Sequence, residues 1–279
     1  MDTELNTKYD ALKQQILQTG GLAVAFSGGV DSTLLAAVTA EVLGERALAV
    51  TALSPLYSQH EQKEATELAA LVGIKHVTVD SSELDVPGFA DNPPNRCYLC
   101  KSELFTTVAA IATQHGIHKV ADGTNADDQG DYRPGRRAAK ELDVLSPLLD
   151  AGMTKEDIRA LSRQLNLPTA EKPAFACLAS RFPYGTTITE ETLKSIEALE
   201  DALRENGIVQ FRVRHHGDIA RIEVVAEDLQ KLCAEPLRSR LLERAKAVGY
   251  LYTALDLQGY RTGSMNETLK AEQKAAALD

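Results

Sequence analysis

The chain has 279 residues, of which 44% are hydrophobic and 25% are charged, a balance typical of a soluble globular protein. It is long enough for one large or two smaller domains, and no run approaches the roughly 20 apolar residues that a membrane helix needs. The net charge of -10 argues against a nucleic acid as the main substrate. The acidic, polar start Met1–Asp10 is not a signal peptide, so we expect a cytoplasmic protein with no membrane partner.

Strands and helices alternate along the first half of the chain. Apolar spacing predicts helices over Thr3–Thr19, Thr33–Val38, Gln59–Val72, Cys97–His115 and Lys155–Leu165. Apolar runs between them predict strands over Leu22–Phe26, Arg46–Leu53, His76–Val79, His118–Gly123 and Val144–Leu149, with loops at Asp85–Arg96 and Asp131–Arg137. This alternation predicts an α/β fold with a doubly wound parallel sheet.

The composition changes at Pro168–Gly185, where prolines, aromatic residues and a cysteine indicate an irregular loop or a linker. Beyond it the patterns predict a helix, a strand hairpin, a helical stretch interrupted by Pro236 and a last strand, over Glu190–Glu205, Phe211–His215 with Ile219–Val225, Ala226–Val248 and Tyr250–Leu255. This order predicts a smaller C-terminal α+β domain. We predict domains at 1–178 and 179–279.

A glycine-containing loop of sequence SGGVDS lies between the first predicted strand and its helix. Strand, glycine turn and helix together turn backbone N–H groups toward an anion, and two glycines let the backbone approach a ligand closely. The aspartate favours a Mg²⁺ that a phosphate also binds. The loop resembles the SGGxDS loop of the PP-loop ATP pyrophosphatases, whereas an ordinary Gly-Gly turn is the alternative. The predicted ATP-binding residues here are Ser27, Gly28, Gly29, Val30, Asp31 and Ser32.

A second polar motif, Asp122–Asp128 (DGTNADD), follows the fourth predicted strand. Ligands of open α/β sheets bind outside the carboxyl ends of parallel strands, so this motif is expected beside the glycine loop. Gly123 and Thr124 are candidates to contact ribose or phosphate, and Asp127 or Asp128 to bind Mg²⁺ or the substrate. A simple polar turn is the alternative.

Two groups of arginines are candidate anion sites. The three arginines of Asp131–Arg137 can hold phosphate or carboxylate groups bidentately, and Arg133, beside a Pro-Gly turn, is the best candidate. Arg212 and Arg214 lie on one face of a predicted strand, and two guanidiniums on one face suit a phosphate. The alternatives are a solvated loop and a basic exposed strand face.

The four cysteines are a further candidate site. Cys97 and Cys100 form a C-x-x-C motif, which indicates metal or redox chemistry. Together with Cys177 they provide three thiolates, which match a Zn²⁺ site with an open position or a [4Fe–4S] cluster with one iron free. We interpret Cys233, on a predicted helix, as a buried apolar cysteine. The same interpretation is the alternative for the other three.

Taken together, the motifs SGGVDS, DGTNADD, DYRPG, SRFPYGT, RVR and LDLQGYR resemble those of the LarE-type ATP-dependent sulfur transferases, over nearly the whole chain. The resemblance implies the PP-loop fold, which is adenine nucleotide alpha hydrolase-like. It also implies that ATP adenylates a carboxylate of pyridinium-3,5-dicarboxylate mononucleotide and that a sulfur donor displaces AMP. Two rounds give the dithio ligand of the nickel-pincer cofactor used by lactate racemase and related enzymes.

The resemblance also implies residue roles. The SGGVDS loop would hold pyrophosphate with Asp31 on Mg²⁺, and Arg212 and Arg214 would hold the phosphate of the mononucleotide. Arg261 and Lys101 match positions near the substrate, and Ser180 and Arg181 of the SRFPYGT motif are predicted to bind the substrate as well. The family implies a homo-oligomer larger than a dimer.

The sulfur source separates two branches of this family. One branch sacrifices the sulfur of a cysteine five residues before the arginine of the SRFPYGT motif; here that position is Ala176, and Cys177 follows it. In the three-cysteine branch a [4Fe–4S] cluster, here on Cys97, Cys100 and Cys177, carries a sulfide on its free iron. We favour the cluster. The alternatives are a sacrificial Cys177, or a PP-loop enzyme that thiolates tRNA or amidates its substrate.

Overall fold

The computed structural model describes residues 3–130, 134–173, 176–261 and 263–277. Contacts divide the chain into two compact units. The first, the nucleotide unit, comprises Met1–Glu83, Asn95–Phe175 and Ala277–Asp279, and the second, the arginine unit, comprises Leu84–Pro94 and Ala176–Ala276. The domain ranges 1–178 and 179–279 stay a prediction. No helix within the described ranges is both long and apolar enough to cross a membrane.

The nucleotide unit is built on a parallel sheet. Its strands are β1 (Leu22–Ala25), β2 (Ala47–Leu53), β3 (Lys75–Asp80) and β4 (Val120–Ala121). Within the described residues they lie in the order β3-β2-β1-β4, and every pairing is parallel. Because the chain starts in the middle of the sheet and adds strands on both sides, the first turn after β1 lies at the point where the strand order reverses.

Helices cover both faces of this sheet. Their bounds are α1 (Thr3–Thr19), α2 (Val30–Leu43), α3 (Gln59–Val72), α4 (Arg96–Gln114), α5 (Gly135–Glu141), α6 (Pro147–Asp150) and α7 (Lys155–Gln164). Leu22 and Val24 of β1 pack in one apolar cluster with α1, α2, α3 and α7, whereas Ala23 packs in a second cluster with α4. Since neighbouring residues of a strand face opposite sides, the sheet is doubly wound, and the predicted fold class is confirmed.

Two local predictions in this unit are wrong. The predicted strand at Val144–Leu149 is reduced to a single bridge from Leu145 to Ala121, because Pro147 has no N–H for a ladder and begins α6. Of the loop predicted at Asp131–Arg137, residues 131–133 lie outside the described residues, and α5 replaces the loop from Gly135 onward, where Arg137 pairs with Glu141 one turn later. The strand predicted over His118–Gly123 is confirmed only at Val120–Ala121.

The arginine unit combines helices with a small mixed sheet. Its elements are α8 (Glu190–Glu205), β5 (Phe211–His216), β6 (Ile219–Val224), α9 (Leu229–Cys233), α10 (Leu237–Ala247), β7 (Tyr252–Leu255) and α11 (Ala271–Ala276). The β5–β6 hairpin is antiparallel, as predicted, and β7 joins β6 in parallel. Cys233 is exposed at the end of α9, so its interpretation as a buried apolar cysteine is wrong.

Candidate functional site: a nucleotide loop and a buried arginine cluster

The glycine loop joins β1 to the N-terminus of α2. Gly28 has a φ of +69°, and a Cβ at this position would lie 3.0 Å from the Cα of Ala65 on α3. Only glycine meets both conditions, because other residues rarely adopt positive φ and a side chain would push α3 away. Gly29 then caps α2. The loop therefore presents backbone N–H groups of a helix N-terminus beside the carboxyl end of β1.

Hydroxyl groups of the loop bond to one another. Ser27 Oγ lies 3.2 Å from Ser32 Oγ, and Ser32 Oγ donates to the Gly29 carbonyl at 3.2 Å. The N–H of Gly29 donates to Ser27 Oγ over 3.4 Å, a long and therefore weak bond. These hydroxyl and N–H groups can therefore donate to the oxygens of a bound phosphate instead, at little cost in free energy.

The DGTNADD segment brings its polar groups to the same end of the sheet. Asn125 Nδ2 donates to Asp31 Oδ1 at 3.3 Å, and a Cβ on Gly123 would lie 3.1 Å from the Cβ of Asp31. The loop residue Asp31 and the second motif are thus in contact. The hydroxyl of Thr124 donates to Asp122 at 2.6 Å, and Asp128 accepts from the N–H of Asn125 within its own turn.

Lys155, the first residue of α7, contacts an aspartate of each motif. Its Nζ lies 2.5 Å from both carboxylate oxygens of Asp31, and its backbone N–H donates to Asp127 at 2.8 Å. Asp31 and Asp127 are therefore both tied to the start of α7. Sequence reasoning missed Lys155, since a lysine in the first turn of a helix carries no signal of a distant partner.

A second lysine, Lys172, contacts the glycine loop from another side. Its Nζ donates to the Gly28 carbonyl at 2.9 Å and to Glu64 of α3 at 2.7 Å. The Lys172 side chain is only 14% exposed. Sequence reasoning placed this residue in an irregular loop and assigned it no role.

The C-x-x-C motif lies in the first turn of α4. Cys97 is half-buried and Cys100 is buried, and a separation of three residues puts both thiols on one side of the helix. The Cys100 thiol donates to the buried carboxylate of Glu83 at 3.8 Å, and Ser54 donates to the other oxygen of that carboxylate. Lys101, which follows, lies with Nζ 5.3 Å from the ring centroid of Phe105.

In the arginine unit, Arg181 is buried in an ion pair with Glu200. Nε and one terminal nitrogen of Arg181 each donate to a carboxylate oxygen of Glu200 at 2.8 Å, and the second terminal nitrogen donates to the carbonyls of Ala176 and Cys177. Burial raises the pKa of Glu200, but the Arg181 guanidinium and the Val213 N–H outweigh it and hold that pKa below its usual range. Arg181 therefore fixes the backbone on which Cys177 lies.

Arg212 and Arg214 project from β5 into the same buried region. Arg212 is 4% and Arg214 is 7% exposed, so the alternative of an exposed basic strand face is wrong. Arg214 donates to Glu223, to the Ser180 carbonyl and to a serine hydroxyl. Arg212 stacks over the ring of Tyr260, and its burial together with the Arg181 charge lowers its pKa.

The buried charges of the arginine unit do not balance. Among its described residues the buried charged side chains are Arg181, Arg212, Arg214, Glu200 and Glu223. Within the same residues, Nε of Arg214 is buried without a hydrogen-bond partner. A surplus of guanidinium charge and an unused buried donor favour an anionic ligand.

The remaining predicted site residues have varied surroundings. Arg261 is exposed and pairs with Glu267. Cys177 is a half-buried, reduced cysteine directly before the short helical turn Leu178–Arg181. Arg133 lies outside the described residues. Within the ranges that the structure describes, no three His, Cys, Asp or Glu side chains are grouped to hold a metal ion.

Comparisons with known proteins agree with this geometry. The family model described as NAD synthase matches residues 4–87, which contain the glycine loop. The pyridinium-3,5-bisthiocarboxylic acid mononucleotide synthase of Lactiplantibacillus plantarum is 36% identical over 272 residues, covering 97% of this chain and 98% of that protein. The chain belongs to the LarE-type family of ATP-dependent sulfur transferases.

Two further relatives of similar length are uncharacterized proteins. One, from Synechocystis, is 42% identical over 265 residues, which cover 95% of this chain and 99% of that protein. The other, from Methanocaldococcus jannaschii, is 31% identical over 241 residues, which cover 86% of this chain and 91% of that protein. The similarity to these relatives and to the mononucleotide synthase thus extends through both the nucleotide unit and the arginine unit.

Proposed function

We propose that this protein uses ATP to adenylate the carboxylates of pyridinium-3,5-dicarboxylate mononucleotide and converts them to thiocarboxylates. The observation that carries the proposal is membership of the LarE-type family over nearly the full length of the chain. The glycine loop of the nucleotide unit and the arginine surplus of the other unit support it from the chemistry of the residues. A nucleotide and a second anion are the two ligands that these features favour.

In the adenylation step a substrate carboxylate oxygen attacks the α-phosphorus of ATP, and pyrophosphate leaves. The N–H groups at the start of α2 and the hydroxyls of Ser27 and Ser32 are the donors for the pyrophosphate oxygens. Asp31 suits Mg²⁺, because its carboxylate is placed to bind a cation: it holds the Lys155 ammonium at 2.5 Å. Asp31 would hold the Mg²⁺, which would supply positive charge that stabilises the phosphate groups as pyrophosphate leaves.

The acceptor's phosphate group suits the buried arginines. A phosphate monoester carries up to two negative charges and several acceptor oxygens, and arginine binds such groups bidentately. Arg214 retains an unused buried donor at Nε, and Arg212 adds a second guanidinium on the same face of β5. We assign the phosphate to these two residues, with Ser180 and Arg181 positioning the segment beside it.

In the transfer step a sulfide nucleophile attacks the acyl carbon, and AMP leaves with the carboxylate oxygen. AMP is a far better leaving group than oxide, so adenylation makes the substitution feasible. We assign Cys97, Cys100 and Cys177, whose thiols are reduced, as the residues that would hold a [4Fe–4S] cluster, because three thiolates are the donor set of such a cluster. This assignment rests on the cysteine motif and not on a grouping of the three side chains among the described residues. When bound, such a cluster would supply the sulfide for this attack.

Turnover of the defined substrate tests the function. The anaerobically purified protein is incubated with ATP, Mg²⁺, sulfide and the dicarboxylate mononucleotide, and AMP and the substrate mass are measured. We expect AMP only when the mononucleotide is present, together with a mass gain of about 16 Da for each oxygen replaced by sulfur. ATP binding without AMP formation would refute the proposed acceptor.

Iron analysis combined with protein mass spectrometry tests the sulfur source. The cluster predicts bound iron and sulfide and an intact Cys177 after turnover. A sacrificial cysteine predicts no iron and a loss of about 34 Da at Cys177, equal to one H₂S. That second result would replace the cluster by Cys177 as the donor while leaving the acceptor unchanged.

A further inference from the structure

The contact between Lys172 and the glycine loop determines the orientation of the Gly28–Gly29 peptide group. The ammonium of Lys172 holds the carbonyl oxygen of Gly28 at 2.9 Å. In a trans peptide the C=O and the following N–H point in opposite directions, so the N–H of Gly29 is directed away from Lys172. There it donates its long bond to Ser27 Oγ, on the inner side of the loop.

Nothing in the two flanking residues themselves maintains this orientation. Gly28 and Gly29 both lack a Cβ, so the peptide between them can rotate by changes in ψ of the first and φ of the second at low cost. The opposite orientation would turn a carbonyl oxygen, instead of an N–H, toward a bound phosphate. A cation fixed on the Gly28 carbonyl prevents that rotation.

The ammonium of Lys172 is itself well fixed. Glu64 holds it at 2.7 Å, and Glu64 precedes Ala65, the residue against which Gly28 packs. Arg159 of α7 donates to the backbone carbonyls of Ala170 and Lys172. Both ends of the lysine side chain are therefore anchored before any ligand binds, which reduces the ordering cost at binding.

From these contacts we propose that Lys172 is a positioning residue for pyrophosphate, acting through the Gly28–Gly29 peptide and not by touching the phosphate. It aims the Gly29 N–H at the oxygens of the β- and γ-phosphates. The inference rests on the proposed use of ATP, and it concerns only the part of ATP that becomes pyrophosphate. AMP, which lacks that part, does not depend on Lys172.

Calorimetric titration of the nucleotide ligands tests the inference. Wild type and Lys172→Met are titrated with Mg²⁺-pyrophosphate, Mg²⁺-ATP and AMP. We expect the variant to bind pyrophosphate and ATP about tenfold more weakly and AMP within about twofold of wild type, since one charge-assisted contact is at stake. Lys172→Arg retains a donor for the carbonyl and should recover most of the affinity for pyrophosphate.

Two further variants separate this positioning role from a purely electrostatic effect of the lysine charge. Lys63→Met removes a lysine that is 80% exposed on the same helix as Glu64 and should change no affinity. Glu64→Gln removes the negative charge but keeps a side-chain oxygen that accepts from Lys172, so the contact of Lys172 with the Gly28 carbonyl is retained and pyrophosphate affinity should stay within about twofold. If Lys172 acted only through its charge, Glu64→Gln would instead strengthen pyrophosphate binding by the factor that Lys172→Met weakens it, and the inference would be wrong.

Equal weakening of AMP and pyrophosphate by Lys172→Met would also overturn the inference, because it would show a general loss of the fold. So would unchanged affinity for all three ligands. Failure of the proposed function is a separate result: wild type would bind ATP and pyrophosphate normally yet form no AMP with the mononucleotide. The two failures are distinguishable, because the inference is tested by nucleotide binding and the proposed function by AMP formation with the mononucleotide.

Discussion

Replacing Arg181 by methionine should destabilise the arginine unit strongly. The Arg181 and Glu200 side chains are 2% and 4% exposed, and they share two hydrogen bonds of 2.8 Å. Methionine fills a similar space but removes both hydrogen bonds that Arg181 donates to the Glu200 carboxylate, while the Val213 N–H still donates to it at 3.0 Å. Removing one member of a buried ion pair costs about 3–5 kcal/mol, so we expect a loss of that order in the free energy of unfolding.

The pH dependence of this loss follows from Glu200. In the wild type its pKa lies below the usual value, so the pair contributes stability above the unfolded pKa of about 4.3 and loses it as the pH falls. Without Arg181, burial raises the pKa of Glu200, and protonation then stabilises the variant as the pH falls. The stability difference between the two proteins should therefore shrink between about pH 7 and about pH 4.5.

Urea unfolding followed by circular dichroism measures both effects. The double variant Arg181→Met with Glu200→Met removes both members of the pair, so Glu200 is not left without Arg181, and it should recover most of the stability. Arg238→Ala, which breaks the exposed pair with Glu235, is the matched control and should change the free energy by less than about 1 kcal/mol. The reasoning is refuted if the double variant is as unstable as Arg181→Met, or if the loss does not vary with pH.

Three other perturbations test the site. Gly28→Ala should abolish ATP binding in calorimetry, because the added Cβ would lie 3.0 Å from a backbone atom of α3. Gly29→Ala, at a position with negative φ, should reduce ATP binding less. Equal effects of the two variants would contradict the steric argument. Lys155→Met removes the cation that competes for the loop aspartate, so Mg²⁺ should bind the ATP complex up to about fivefold more tightly, and weaker binding would argue against competition. Cys97→Ser should lower the iron content of anaerobically purified protein to below about a tenth, whereas the exposed Cys233→Ser should leave it unchanged; equal iron in both would exclude Cys97 as a ligand.

Features that depend on short stretches of chain could be predicted well. Alternating apolar runs predicted the parallel sheet, and a six-residue motif placed a glycine loop at its carboxyl edge, because strand direction and turn chemistry are local properties. The C-x-x-C spacing likewise placed two thiols in one turn of a helix. The strand predicted at Val144–Leu149 failed because a single proline ended the pattern and its apolar residues suited a short helix equally well.

The sequence by itself determined the fold class, the glycine loop and the family of this protein. Only the tertiary structure decided which charges meet. Lys155 pairs with a residue 124 positions earlier, and Lys172 with a carbonyl 144 positions earlier, in the same glycine loop. The buried pairing of Arg181 with Glu200 joins a short turn to a long helix. The hydrophobic periodicity of the sequence does not indicate such partners, because burial and ion pairing depend on where distant segments pack.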